Sequence, residues 1–378
     1  MNDVFICGAG LRSCLGDGLA ASVLAIAHKV AEPHRVGLPD DQSRPYYLMA
    51  GGVAAALNGI GDSDWRARAM DAVHAVIGEC QGARSSAAEG GAVFIGSSSF
   101  DRGGACQGSD QGLPLCDFAH RLARAEGWSE RPVVVNTACT SAFNALHLAR
   151  CQIAAGQLSE ALIVGVETFN PFALYGFESM QLLAPERSEP LGKARQGMVL
   201  GEAVAALRVT SKPSDADFER ALGVWRVLAY ANLVDGTNPT GATEGTLVEA
   251  CQSALRESGL QASEIDLVKL QAAGSPVNDA VEISALRRVF ECLPPCVSLK
   301  SVLGHTLGAS CAAETALLLA CLESGVWPQL DYVLEPDLAG VVVSSSRPLI
   351  ADGVQTVLLV GLGFGGGHSV LILKRHLP

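Results

Sequence analysis

The sequence predicts an α/β fold built on a buried aliphatic sheet and duplicated in two halves. Three observations predict it. Of the 378 residues 49% are hydrophobic but only 5% aromatic, and 41 are glycine, so the core is aliphatic and close-packed. Short apolar runs of strand length alternate with longer stretches of helical periodicity. Each half repeats one order (strand, helix, strand, helix, closing strand pair) with no residue-level repeat. Aliphatic strands separated by helices point to a largely parallel sheet covered on both faces.

In the first half, strands are predicted over residues 4–7, 92–96, 133–136, 161–166 and 202–209, each a short aliphatic run. Helical spacing is clearest over 140–155. The polar stretch 210–217 follows an apolar run and marks a mid-chain junction, dividing the chain into halves 1–212 and 213–378. In the second half, strands are predicted over 225–233, 267–271, 296–299, 340–344, 356–362 and 369–374, with helices over 245–257, 280–290 and 305–323. Ligand sites in such folds lie in loops after the carboxyl ends of strands.

Charge and composition narrow the function. There are 27 Lys and Arg against 39 Asp and Glu, a net charge of −12, which argues against a nucleic-acid partner. Mean hydropathy is +0.27. No uninterrupted apolar run reaches the ~18 residues of a membrane span. The opening Met1-Asn2-Asp3-Val4-Phe5 has no basic segment before its apolar one, so no secretory signal is expected and a cytoplasmic location is. The twelve cysteines include no Cys-x-x-Cys pair and no histidine pair at zinc-ligand spacing, so no metal is expected. Most sit in apolar runs and read as small buried hydrophobes.

One cysteine stands apart. In Val133-Val134-Val135-Asn136-Thr137-Ala138-Cys139-Thr140-Ser141 an apolar strand ends and a helical pattern begins at once. Cys139 thus falls near a helix N-terminus, where free N–H groups and the helix dipole favour a thiolate and can hold an oxyanion. The segment fits an activated nucleophile and a buried packing cysteine about equally well. A second segment places Lys300 after a strand and His305, in Gly304-His305-Thr306-Leu307-Gly308-Ala309, at the start of an Ala-rich helix. A lone histidine there reads first as structural. The glycine-dense Gly361-Leu362-Gly363-Phe364-Gly365-Gly366-Gly367 is followed by strand, not helix, which fails the context test for a dinucleotide loop.

Taken in order, these segments resemble the β-ketoacyl-acyl-carrier-protein synthase family, of thiolase fold. The resemblance covers Val4-Phe5-Ile6-Cys7-Gly8, Asn136-Thr137-Ala138-Cys139-Thr140-Ser141, Pro190 to Glu202, Lys300 with Gly304 to Ala309, and Gly363-Phe364-Gly365-Gly366. It implies thiolase-like βαβαβαββ halves in a five-layered αβαβα core, and a homodimer or heterodimer. It also implies roles. Cys139 would take an acyl chain from the phosphopantetheine arm of an acyl carrier protein, with no other cofactor. His305, Lys300 and Glu314 would support decarboxylation of an extender. The amides of Cys139 and Phe364 would form the oxyanion hole, with Phe364 as gate. Ala273, Ser275, Met198 and Phe177 would contact the substrate.

The sequence departs from that family at one informative place. Anchored on Pro276 and Asp279, the segment Gln271-Ala272-Ala273-Gly274-Ser275 puts glutamine where the family's first histidine stands and alanine at its first threonine. Glutamine can donate a hydrogen bond but cannot move a proton near neutral pH, a contribution typically worth about 10²–10⁴-fold in rate. Gly192 and Gln196 also replace aspartates of the arginine motif. The leading expectation is therefore a partner subunit of the chain-length-factor type, as in aryl polyene systems, paired with a complete ketosynthase and weak in condensation. The alternatives are a working decarboxylating synthase using Cys139, Gln271 and His305, and an acyltransferase or thioesterase-like enzyme acting through acyl-Cys139. Tyr175 to Met180 lies where the family lines its acyl tunnel. Two basic clusters, at 65–68 and 121–124, read first as solvated helix faces.

Overall fold

The aliphatic runs do form a sheet, and its order is the same in both halves. The computed structural model describes residues 2–29, 32–38, 42–49, 65–82, 91–99, 115–128, 131–349 and 353–377. The strands in chain order are β1 (Phe5–Ser13), β2 (Gly16–Asp17), β3 (His34–Gly37), β4 (Ser43–Tyr47), β5 (Ala92–Gly96), β6 (Val133–Val135), β7 (Glu160–Glu167), β8 (Leu200–Gly201), β9 (Ala203–Thr210), β10 (Val224–Val234), β11 (Leu267–Lys269), β12 (Cys296–Val297), β13 (Thr356–Gly363) and β14 (Gly367–His376). The main sheet runs β12-β11-β13-β14-β10-β1-β9-β7-β5-β6, while β3, β4 and β8 form a small second sheet. Within each half the order is third, second, fourth, fifth, first. The halves join where Phe5 and Ile6 of β1 pair with Arg226 and Trp225 of β10.

The helices supply the remaining layers of an αβαβα stack. Trp65–Gln81 and Leu115–Ala125 cover the first half-sheet through Val73, Ile77, Phe118 and Leu122. Glu244–Ser258 and Pro276–Val289 cover the second through Leu247, Cys251, Ile283 and Leu286. Ser141–Ala154 and Ser310–Ser324 lie between the two half-sheets. The stretch Leu307–Ser324 is long and apolar enough to cross a membrane, but 89% of it is buried inside the molecule, which makes it a core helix.

Several expectations need correction. The sheet is mixed, not largely parallel. In each half the two outer pairings are parallel and the two nearest the centre antiparallel. Burial on both faces makes a strand uniformly aliphatic whichever way it runs, so the pattern records burial and not direction. The β13–β14 pair must be antiparallel, because only the turn Phe364–Gly366 joins them. The strand expected over 340–344 is absent; Val342 and Ser344 make only isolated bridges, to Cys296 and Arg347. The helix expected from His305 starts at Ser310, because Gly304 (φ 67) and Leu307 (φ 47) turn the backbone left-handed before it. Cys116, Cys151 and Cys292 are exposed, not core residues, and Cys106 lies outside the described residues. The basic cluster at 65–68 falls largely on side chains outside them, while Arg121 and Arg124 are solvent-exposed.

Candidate active site

The site forms where the N-terminal ends of the two central helices meet. Cys139 sits on a tight elbow after β6. Ala138 holds φ 52, and Ser141 Oγ accepts from Thr137 N–H (3.0 Å) while donating to the Ala138 carbonyl (2.5 Å). Thr140 Oγ1 donates to the Thr137 carbonyl at 2.8 Å. Gly96 lets the helix start this close: a Cβ there would lie 2.6 Å from Ala142 N. The loop that leads into the opposing helix brings His305, whose Nε2 is 3.0 Å from Cys139 Sγ and whose Nδ1 is 2.9 Å from Ser310 Oγ. The Ser310 hydroxyl orients the ring, a partner that was not anticipated from the sequence.

Burial dominates the electrostatics. Cys139 is 4% exposed, and burial pushes its thiol up to about 12. Lys300 and the backbone N–H groups of Phe364 and Cys139 pull in the opposite direction without winning. The expected lowering by the helix end is thus corrected: loss of water outweighs the dipole. Burial, with Lys300 nearby, holds His305 down to about 3. The pair rests as thiol and neutral imidazole in hydrogen-bond contact. The backbone N–H groups of Phe364 and Cys139 both act to lower the thiol pKa, so both lie near the sulfur.

Behind the thiol lies a buried charge cluster. Lys300 Nζ pairs with Glu314 Oε1 and lies 3.3 Å from Gln271 Oε1. Lys269 Nζ donates to Glu314 Oε2 at 3.0 Å and to the Val360 carbonyl at 2.8 Å. Both lysines are fully buried. Burial pushes the Glu314 carboxyl up, but the two ammonium groups hold it below its ordinary value. Lys300 is lowered, by burial first. Because an ammonium can only donate, the Gln271 amide turns its oxygen to Lys300, leaving its N–H₂ for the other side. Two more carboxyls pin the segment. Glu282 accepts from the backbone N–H of Gln271 (2.6 Å) and Ala272 (2.8 Å), and Asp279 accepts from Ala273, Gly274 and Ser275. Burial lifts Glu282 to about 7.

Cys139, His305 and Gln271 open on one pocket, also lined by Met198, Ala273 and Phe364. Ser275 is on its wall and caps the next helix, accepting from Asn278 N–H at 3.2 Å. The Phe364 ring stacks on Phe177 at 5.1 Å, inside an apolar cluster with Met198, Leu200 and Ala273.

Models of the β-ketoacyl synthase N-terminal and C-terminal domains match residues 66–214 and 226–331, together more than half of the chain. The chain belongs to the β-ketoacyl synthase family. A methylphloroacetophenone synthase from Cladonia uncialis is 33% identical over 274 residues, 67% of this chain and 10% of that one. The 3-oxoacyl-[acyl-carrier-protein] synthase 2 of Mycobacterium leprae is 31% identical over 253 residues, 62% of this chain and 58% of that one. The matched region thus spans little more than half of one relative and a small part of the other. Among solved structures, a ketosynthase (ApeO) in complex with its chain length factor (ApeC) from Xenorhabdus doucetiae superimposes with TM-score 0.76 at 22% identity, covering 99% of this chain and 98% of that one. The ishigamide ketosynthase/chain length factor gives TM-score 0.80 at 21% identity, with full coverage of both chains. These likenesses establish the thiolase-like fold of this β-ketoacyl synthase family member.

The site brings together Cys139, His305, Lys300, Gln271, Glu314 and Phe364, all singled out from the sequence. Met198, Ala273 and Ser275 line its pocket and Phe177 backs Phe364. Tyr175 and Met180 do not join them; they are 43% and 41% exposed. Lys269 escaped the sequence reading. Its signal was present: a lysine inside Leu267-Val268-Lys269-Leu270, a charge in a buried strand that must find a partner.

Proposed function

We propose that this chain is a β-ketoacyl-synthase-like subunit of acyl-chain elongation, the chain-length-factor-type partner of a complete ketosynthase, with weak condensation of its own. The observation that carries the reading is Gln271. It stands in the pocket beside Cys139 and His305, and Lys300 holds its oxygen. Its N–H₂ is able to donate to a thioester carbonyl, but no proton can be taken up or released there, so decarboxylation loses a contribution of about 10²–10⁴-fold. The acyl chain arrives on the phosphopantetheine arm of an acyl carrier protein, which needs no further cofactor. At Ala273 the arm lacks a hydroxyl contact worth about 0.5–1.5 kcal/mol. The Phe177–Phe364 stack and the cluster around Met198 shape the space for the chain. The partner is a second ketosynthase-fold subunit in a heterodimer, a homodimer being the alternative, and the setting is cytoplasmic.

The test is incubation of the purified chain with acyl-carrier protein, then with malonyl-carrier protein. Mass increase at Cys139 without elongation is the expected result. Sustained malonyl-dependent elongation by the chain alone overturns the partner role. The Cys139–His305 contact at 3.0 Å favours a second reading, acyl transfer through acyl-Cys139 to an acceptor that needs no decarboxylation. A Cys139→Ala variant that still passes acyl groups on removes that reading.

A further inference from the structure

Two ammonium groups share one carboxylate behind the nucleophile. Lys269 and Lys300 each take one oxygen of Glu314, and all three side chains are buried. Lys269 makes its other contact with the Val360 carbonyl and lies 5.9 Å from the Phe143 ring centre. It has no carboxylate of its own. An ammonium taken out of water without its own counter-ion is a standing cost to stability. Of the other carboxyls, Glu282 is attracted by both lysines, although burial lifts it to about 7, and it lines the pocket together with Asp279. His305 is neutral, and Glu282 spends both oxygens on the backbone N–H groups of Gln271 and Ala272.

The geometry shows what the extra cation changes. With Glu314 Oε2 taken by Lys269, Lys300 has only Oε1 there and turns another hydrogen to Gln271 Oε1 at 3.3 Å. Remove Lys269 and both Glu314 oxygens fall to Lys300, which loosens its hold on the amide. We propose that Lys269 is a positioning residue for the thiol site: it divides Glu314 so that Lys300 fixes Gln271, and its charge makes the pocket select ligands that carry negative charge, such as a carboxylate-bearing acyl group. The inference rests on the thiol-centred reading above, but it concerns the charge at Cys139 and not delivery by a carrier protein.

The experiment is alkylation of Cys139 in the full chain by iodoacetate and, separately, iodoacetamide, followed at that residue by peptide mass spectrometry. In both reactions sulfur displaces iodide and the thiol proton leaves to solvent, so the two reagents differ in charge alone. The wild-type ratio of iodoacetate to iodoacetamide rates is expected to exceed that of 2-mercaptoethanol, an uncharged reference thiol that cancels the intrinsic difference between the reagents. Lys269→Met is expected to lower that ratio about tenfold through the loss of one positive charge from the cluster behind the thiol. Lys269→Arg keeps it. If Lys269→Met does not fold, Lys269→Gln carries the same test, since its amide can donate to the Val360 carbonyl without a charge. A purely structural lysine would slow both reagents together. A ratio unchanged in Lys269→Met or Lys269→Gln overturns the proposal, and failure of carrier-protein loading leaves this measurement unaffected.

Discussion

At the scale of single residues, the proposed chemistry rests on Gln271 and Cys139. The glutamine occupies a fully built position: its backbone is pinned by Glu282, its oxygen is held by Lys300, and it faces the thiol pocket. Gln271→His supplies a titratable ring at a site already framed for one. Malonyl-dependent elongation is expected to rise by about 10² or more, read as product formed per minute on carrier protein; no rise would mean that proton transfer is not the limiting defect. The thiol makes a separate prediction about pH. Burial pushes Cys139 to about 12 and keeps His305 near 3, so neither titrates near neutrality. Below the thiol pKa the thiolate fraction grows about tenfold per pH unit. Alkylation of Cys139 is therefore expected to climb between about pH 6 and pH 9 without levelling. A plateau near pH 7 would show that Lys300 and the two amides outweigh burial after all.

Close approach does the corresponding work among the elements. The helix Ser141–Ala154 can begin directly after Cys139 because Gly96 on β5 has no side chain against it. Gly96→Ala would put a Cβ 2.6 Å from Ala142 N, against backbone that cannot swing away. The expected cost is about 1–3 kcal/mol in urea denaturation, together with slower loading of Cys139. Gly245→Ala is the contrast. That glycine lies in the helix Glu244–Ser258 with nothing within 4 Å of the added methyl, so stability should stay level or rise by about 0.4–1 kcal/mol. Most strands and helices were legible because their apolar spacing records which face is buried. The start of Ser310–Ser324 was not, because residues 304–309 keep helix-compatible composition while Gly304 and Leu307 bend left-handed.

In the whole molecule, the site exists only because two halves dock. Cys139 comes from the first half, whereas Gln271, Lys300, His305, Glu314 and Phe364 come from the second. The two central helices pack on each other beneath them. A partner of similar fold would extend this arrangement to a pair of subunits. Phe172 is 57% exposed on the helix Pro171–Ser179, which also exposes Tyr175, with Met180 just past its end. Co-expression with a complete ketosynthase is expected to give a stable 1:1 complex by light scattering. A chain that remains a monomer or pairs only with itself would count against the partner role.

The sequence by itself determined the fold class, the duplicated order, the strand-to-helix turn at Cys139 and the glutamine where an imidazole was expected. These are local matters of apolar spacing, turn chemistry and residue identity within short motifs. Only the tertiary structure decided strand direction, the burial of the thiol and the pairing of Lys269. Each depends on what distant segments exclude or supply: water kept from Cys139 by the second half, and a carboxylate 45 residues away in the chain that two buried lysines must share. Burial converts a residue's ordinary chemistry into something its neighbours in sequence do not specify.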